Sequence, residues 1–126
     1  MKTTKVVYNA CYGGFGLSSE GIELLAKLEG VTLYKAESES RIMPFKYFTK
    51  PLIEGKGDYK FVFDHRSFER HNPSLVEVVE TLGELAGGRF SHLMIEEITK
   101  DCYYIDEYDG SESVITENDI NWISVK

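Results

Sequence analysis

Val6-Val7-Tyr8-Asn9-Ala10-Cys11-Tyr12-Gly13-Gly14-Phe15-Gly16-Leu17-Ser18-Ser19 opens on β-branched and aromatic residues and crosses a bend holding three of the chain's eleven glycines. It then enters a stretch with helical spacing. Lys5 to Tyr8 has the composition of a short strand. Ser18 is suited to cap a helix, and Ile22, Leu25, Ala26 and Leu28 recur at the helical period across Ser19 to Leu28. Gly21 weakens that helix and Gly30 supplies its end. A strand passed through a glycine bend into a helix is the unit around which the remaining segments are placed.

Val31 to Lys35 reads as a second strand and residues 36–44 as a polar loop ending in proline. Phe45 to Phe48 is an aromatic cluster, and Tyr59 to Phe63 is the clearest strand sequence of the middle section. Asn72 and Pro73 open a second helix as its cap and first residue. Leu75, Val76, Val79, Leu82 and Leu85 form its apolar face, Glu77, Glu80 and Glu84 its outer side, and Gly87-Gly88 its left-handed end. His92 to Ile98, Cys102 to Tyr108 and Ser111 to Thr116 read as strands. Asp109-Gly110 is a two-residue hairpin turn. It sets the pairs Tyr108–Ser111, Glu107–Glu112, Asp106–Ser113 and Ile105–Val114. The closing stretch around Trp122 offers an edge strand. The order β-α-β-β-α-β-β-β predicts one α+β domain over residues 1–126, a mainly antiparallel sheet with two helices packed on one face.

A length of 126 residues is that of one domain, large enough to bury a real core. The net charge of −7 argues against general nucleic-acid binding and against anionic membranes, since phosphate backbones and acidic lipids are held by Lys and Arg. It leaves room for a small phosphorylated ligand, which needs only a local group of donors. No apolar run approaches the length of a membrane span, and the N-terminal residues lack the apolar core of a signal peptide. Cys11 and Cys102 match no metal or redox spacing and read as reduced thiols in a cytoplasmic protein.

Chemistry could sit in several places. Gly14-Phe15-Gly16-Leu17-Ser18-Ser19 comes close to a dinucleotide fingerprint, but Glu37 and Glu39, the acidic residues at the right distance, fall in the polar loop. Two readings of the bend stand: a tight turn whose glycines take positive φ, or an anion site built from backbone N–H groups. Glu107 and Glu112 face each other across the hairpin. They are either solvated, or paired with a cation from another element, or a cation or acid–base site. Tyr104, Asp106, Tyr108 and Ser113 occupy the opposite face. His65, His71 and His92 lie on separate segments with no metal-ligand spacing, so no metal or cofactor is expected. Arg66 and Arg70 precede the second helix, and Arg89 and His92 follow it. One helix length separates the two groups, and two readings stand: a symmetric dimer unites them, or they are scattered surface charges that pair with the chain's many carboxylates.

Three pieces resemble a family of small bacteriophage and prophage proteins without a settled activity. They are Lys5 to Ser18 with its CYGGFGLS segment, Arg70 to Gly83 (RHNPSLVEVVETLG), and Tyr104 to Val114 (YIDEYDGSESV) with the later Trp122. Residues 31–69 lie outside the resemblance. It implies a protein of the host cytoplasm. Small phage proteins of this size are often not enzymes; many disable a host component or sequester a nucleotide signal, as the Thoeris anti-defence sponges do. The expectation is therefore a non-enzymatic, homo-oligomeric protein binding a small nucleotide-derived ligand. Its phosphates would meet Asn9, Gly13, Gly14, Gly16 and Ser18 of the bend with Arg70 or Arg89, and Tyr12, Phe15 or Tyr108 would stack on the base. The alternatives are a protein–protein inhibitor with an acidic surface, and an enzyme using Glu107 with Glu112, or Cys11.

Overall fold

The computed structural model describes residues 2–37, 45–119 and 123–125. Among them the elements are β1 (Thr4–Asn9), α1 (Ser19–Glu29), β2 (Tyr34–Glu37), β3 (Phe45–Phe48), α2 (Pro73–Leu82), β4 (Leu93–Ile98), β5 (Tyr104–Tyr108) and β6 (Ser111–Ile115). The fold is α+β, and the strands pair antiparallel as β1 with β4, β2 with β3 and β5 with β6. The sheet content is thus three two-stranded ladders rather than one continuous sheet.

The β1–β4 ribbon is central. Val7 pairs with Ile95 and Asn9 with Leu93, while Val6 pairs with Glu96 and Thr4 with Ile98. Alternation sends Val7, Leu93 and Ile95 into one cluster with Leu25 of α1 and Leu75, Val78 and Val79 of α2. Val6 and Ile98 turn to the opposite face, where Ile105 and Val114 of the β5–β6 hairpin cover them. One face of the ribbon therefore carries both helices and the other carries the hairpin.

Both helices start as their sequences require. The Ser18 hydroxyl accepts the Gly21 N–H, and Gly30, at φ 73°, closes α1. The Asn72 side chain accepts the N–H groups of Ser74 and Leu75, with Pro73 following it. The second helix ends earlier than its apolar pattern suggests. Gly83 leaves the right-handed region (φ 56°), a short 3-10 turn covers Gly83–Leu85, and Leu85 is 68% exposed. Gly87 and Gly88 serve another purpose. A β-carbon at Gly87 would stand 2.7 Å from the Ser91 carbonyl oxygen, and the Gly88 N–H donates to the Gly16 carbonyl at 2.8 Å. They let the post-helix segment lie against the glycine bend.

The middle section departs furthest from expectation. The second strand begins at Tyr34 rather than Val31 and takes in Ala36 and Glu37, and its partner is the aromatic cluster Phe45–Phe48. Tyr59–Phe61 is a 3-10 turn, not a strand. The Asp58 carboxylate accepts the Lys60 N–H and starts the turn locally, the competition with strand formation that aspartate offers. Only its end reaches β3: the Thr49 N–H donates to the Phe61 carbonyl and the Phe63 N–H to the Tyr47 carbonyl. The element order β-α-β-β-α-β-β-β is the expected one, but its third strand is Phe45–Phe48. The hairpin has the expected register at every pair, with Asp109 and Gly110 both at positive φ. Where the edge strand was expected, Glu117–Asp119 is a 3-10 turn, and Trp122 lies outside the described residues.

Candidate functional site

The strand-bend-helix stretch is fastened from three sides. Asn9 is fully buried, and its amide saturates its neighbours: Nδ2 donates to the carbonyls of Cys11 (2.6 Å) and Gly110 (2.8 Å), and Oδ1 accepts the N–H groups of Cys11 (3.2 Å) and His92 (2.8 Å). One side chain thus ties β1, the bend, the hairpin turn and the entry to β4. The contacts are close enough to need glycine. A β-carbon on Gly13 would collide with the Phe90 carbonyl, and one on Gly110 with the Tyr12 carbonyl. Further along, the Ser91 hydroxyl donates to the Gly14 carbonyl at 2.6 Å.

Glu112 is buried on the inward face of the hairpin, and Arg70 holds it through both guanidinium nitrogens, at 2.5 and 2.9 Å. The same carboxylate accepts the Asn9 N–H at 2.8 Å. The Arg70 guanidinium also lies 3.7 Å from the centre of the Phe15 ring. Its cross-strand neighbour Glu107 is exposed, so the two carboxylates have different fates: one paired with a cation from another element, the other solvated. The Arg70–Glu112 pair locks the hairpin to the bend and to the segment before α2.

The bend, the segment after α2 and the 3-10 turn His65–Ser67 enclose a cup of about 140 Å³. Gly13 to Leu17 form one wall, and Arg66 and Arg89 bring two guanidinium-bearing side chains; among the described residues no carboxylate lines it. Among the described residues neither arginine forms an ion pair, whereas Arg70 does. Among the described residues, the N–H groups of Phe15 and Gly16 meet no backbone acceptor. His65 also lines the cup. It is 8% exposed, and its Nε2 has no hydrogen-bond partner among the described residues. Burial, then the neighbouring Arg66 charge, lowers its pKa from 6.5 to about 4, so the ring is neutral at pH 7.

His65 and Arg66 also line a second, more apolar cavity of about 330 Å³. Its walls include Phe45, Tyr47, Tyr59 and Phe63, together with a further cationic residue, Lys46, and one acidic residue, Asp64. The Lys46 ammonium lies 4.9 Å from the Tyr59 ring centre. The Tyr47 hydroxyl donates to Glu23 at 2.6 Å, and burial followed by that bond pushes its pKa up to about 12. An aromatic groove and a cationic cup thus share one wall.

The residues singled out from sequence separate into two groups. Gly13, Gly14, Phe15, Gly16 and Arg89 line the cup. Asn9, Ser18 and Arg70 are engaged inside the fold: Ser18 caps α1 and donates to the Leu85 carbonyl, and Asn9 and Arg70 hold the bend and hairpin. Tyr12 and Tyr108 are exposed, at 68% and 79%, and line neither cavity. A dimer is not needed to join the basic residues flanking α2, because Arg66 and Arg89 of one chain line the same cup. Sequence reasoning missed His65, Tyr47 and the groove. The available signal was Asp64-His65-Arg66, where Asp64 accepts the Arg66 N–H and turns the chain so that His65 points inward. Comparison with protein-family models, with curated proteins and with solved structures finds no match to this chain.

Proposed function

We propose that the protein binds a small nucleotide-derived ligand without turning it over, as a phage-encoded protein that sequesters a host signal in the host cytoplasm. The observation that carries the reading is the shared wall of groove and cup. An apolar, aromatic groove suits a base, and two arginines without an ion pair among the described residues, beside a glycine bend, suit phosphate. A local cationic site within a chain of net charge −7 favours a small anion over a nucleic-acid polymer. Sequestration rather than catalysis is favoured because the one hydroxyl lining the cup beside His65, that of Ser91, is engaged by the Gly14 carbonyl, and no carboxylate among the described residues lines the cup. The resemblance of CYGGFGLS and YIDEYDGSESV to phage proteins supplies the biological setting. Homo-oligomerisation belongs to this reading but is not required by the cup; light scattering on the eluted protein measures it. Isothermal titration against nucleoside phosphates, cyclic nucleotides and ADP-ribose derivatives tests the proposal. One class should bind at one site per chain and be recovered unchanged, and no heat across the panel would sink it.

A second reading, an inhibitor of a host protein, has one observation in its favour. Tyr104 and Tyr108 stand exposed on the outer face of the hairpin with Asp106 between them. Affinity capture from host lysate separates the readings: one stoichiometric protein partner, lost in Tyr104→Ala/Tyr108→Ala and indifferent to Arg66→Gln, supports the inhibitor.

A further inference from the structure

The sizes and chemistry of the two cavities narrow the ligand, on the reading that this site binds nucleotides. The groove, at about 330 Å³, is at the lower end of the usual range for ligand pockets, roughly 300–1,000 Å³. It has room for one base and its sugar. The cup, at about 140 Å³, is less than half the size of the groove and below the usual range for ligand pockets, roughly 300–1,000 Å³. It suits a group of the size of one phosphate rather than a second nucleoside. A guanidinium binds best when it can take two oxygens of one anion side by side, and the cup offers two guanidinium groups with no competing carboxylate. A terminal phosphomonoester carries up to two charges and three free oxygens, enough for both arginines. A phosphodiester carries one charge, has only two free oxygens, and must lead chain out of the cup on both sides.

His65 is the independent sign of a ligand. A buried polar nitrogen without a partner is costly unless something completes it, and this one sits on the wall that the groove and cup share. His65 and Arg66 line both cavities, and Nε2 itself is closed to solvent, so a ligand lying across both meets it when the imidazole ring turns toward the sugar. We infer that the site takes a single nucleotide with a terminal phosphomonoester: its phosphate lies between Arg66 and Arg89, its base lies in the groove, and a sugar hydroxyl meets His65 Nε2. A neutral imidazole can accept that hydroxyl's hydrogen or donate to its oxygen, so the contact needs no protonation of the ring.

The test is titration calorimetry on the full chain with the four nucleoside 5′-monophosphates, the matching nucleosides, 3′,5′-cyclic mononucleotides, cyclic dinucleotides and inorganic phosphate. At least one monophosphate should bind, with its nucleoside and its cyclic form weaker by roughly tenfold or more, the loss expected for charge-assisted hydrogen bonds. Arg66→Gln and Arg89→Gln, both at exposed positions, should each weaken the monophosphate by a similar factor and leave the nucleoside unchanged. Lys27→Gln, an exposed cation lining neither cavity, should change nothing. The His65 ring nitrogen resonances should shift on adding the monophosphate and much less with inorganic phosphate. Tighter binding of a cyclic dinucleotide, or arginine variants that bind the monophosphate like wild type, would overturn the monoester assignment while leaving nucleotide binding intact. Inorganic phosphate bound as tightly as any nucleotide would remove the groove from the site. Silence from every nucleotide would end both this inference and the reading it rests on.

Discussion

His65 and Asn9 are buried polar residues with opposite hydrogen-bond fates. Folding holds His65 neutral, with its pKa lowered from 6.5 to about 4 by burial and the Arg66 charge. The unfolded chain takes up that proton near pH 6.5 and the folded one does so only near pH 4. Stability is therefore complete above about pH 6.5 and falls as the pH drops toward 4, by up to about 3 kcal/mol. Urea midpoints between pH 7 and 5 should fall more steeply in wild type than in His65→Gln; parallel slopes would remove His65 as the cause. Asn9 is the opposite case, with both amide hydrogens and its carbonyl used. Asn9→Asp keeps the acceptor but turns a carboxylate toward the Cys11 and Gly110 carbonyls. It should cost about 2–3 kcal/mol in urea unfolding, as expected when buried partners are left unsatisfied. Sequence placed Asn9 in the bend, whereas it closes β1 opposite Leu93, and sequence could not say whether its amide faced a ligand or the protein. That depends on Gly110 and His92, far away in the chain.

Among the elements, the hairpin was the most legible because its register is local. Asp109-Gly110 takes two positive φ values, which fixes each pair down to Ile105–Val114. What Glu112 meets was not local. Its partner Arg70 lies 42 residues away, and the pair is 19% and 5% exposed at its side chains. Arg70→Met or Glu112→Leu alone should destabilise by about 3–5 kcal/mol, because each leaves a buried charge unpaired. The double variant should lose clearly less than the sum; additive losses in chemical unfolding would contradict a coupled pair. The bend gives a second contrast. Gly13→Ala forces a β-carbon into Phe90 and should cost about 1–3 kcal/mol, whereas Gly16→Ala, with nothing nearer than 3.6 Å, should have little effect on the melting temperature. Tyr59 to Phe63 failed as a strand for a reason visible only afterwards: Asp58 offers the backbone a local turn, and β3 accepts only the end of the segment.

At the scale of the whole molecule, the β1–β4 ribbon lies between two helices on one side and the hairpin on the other, and the cup forms where the loops of that arrangement meet. On the proposed nucleotide site, a monophosphate at a hundred times its dissociation constant should stabilise the chain by about 2.7 kcal/mol, read as a shift of the unfolding midpoint that Arg66→Gln and Arg89→Gln largely abolish. The amino-acid sequence by itself determined what depends on near neighbours: the α+β class from the periods, both helix starts from Ser18 and Asn72 with Pro73, and the hairpin pairs from Asp109-Gly110. Only the tertiary structure decided which of the bend's neighbours are spent on the fold and which face a cavity. Arg70 and Arg89 look alike as sequence, yet one is neutralised by a carboxylate and the other is not. That difference arises because the Leu17–Gly87 bridge carries Arg89 to the bend beside Arg66, while the hairpin carries Glu112 to Arg70. Those are long-range pairings, set by the packing of the ribbon's two faces and by no local pattern along the chain.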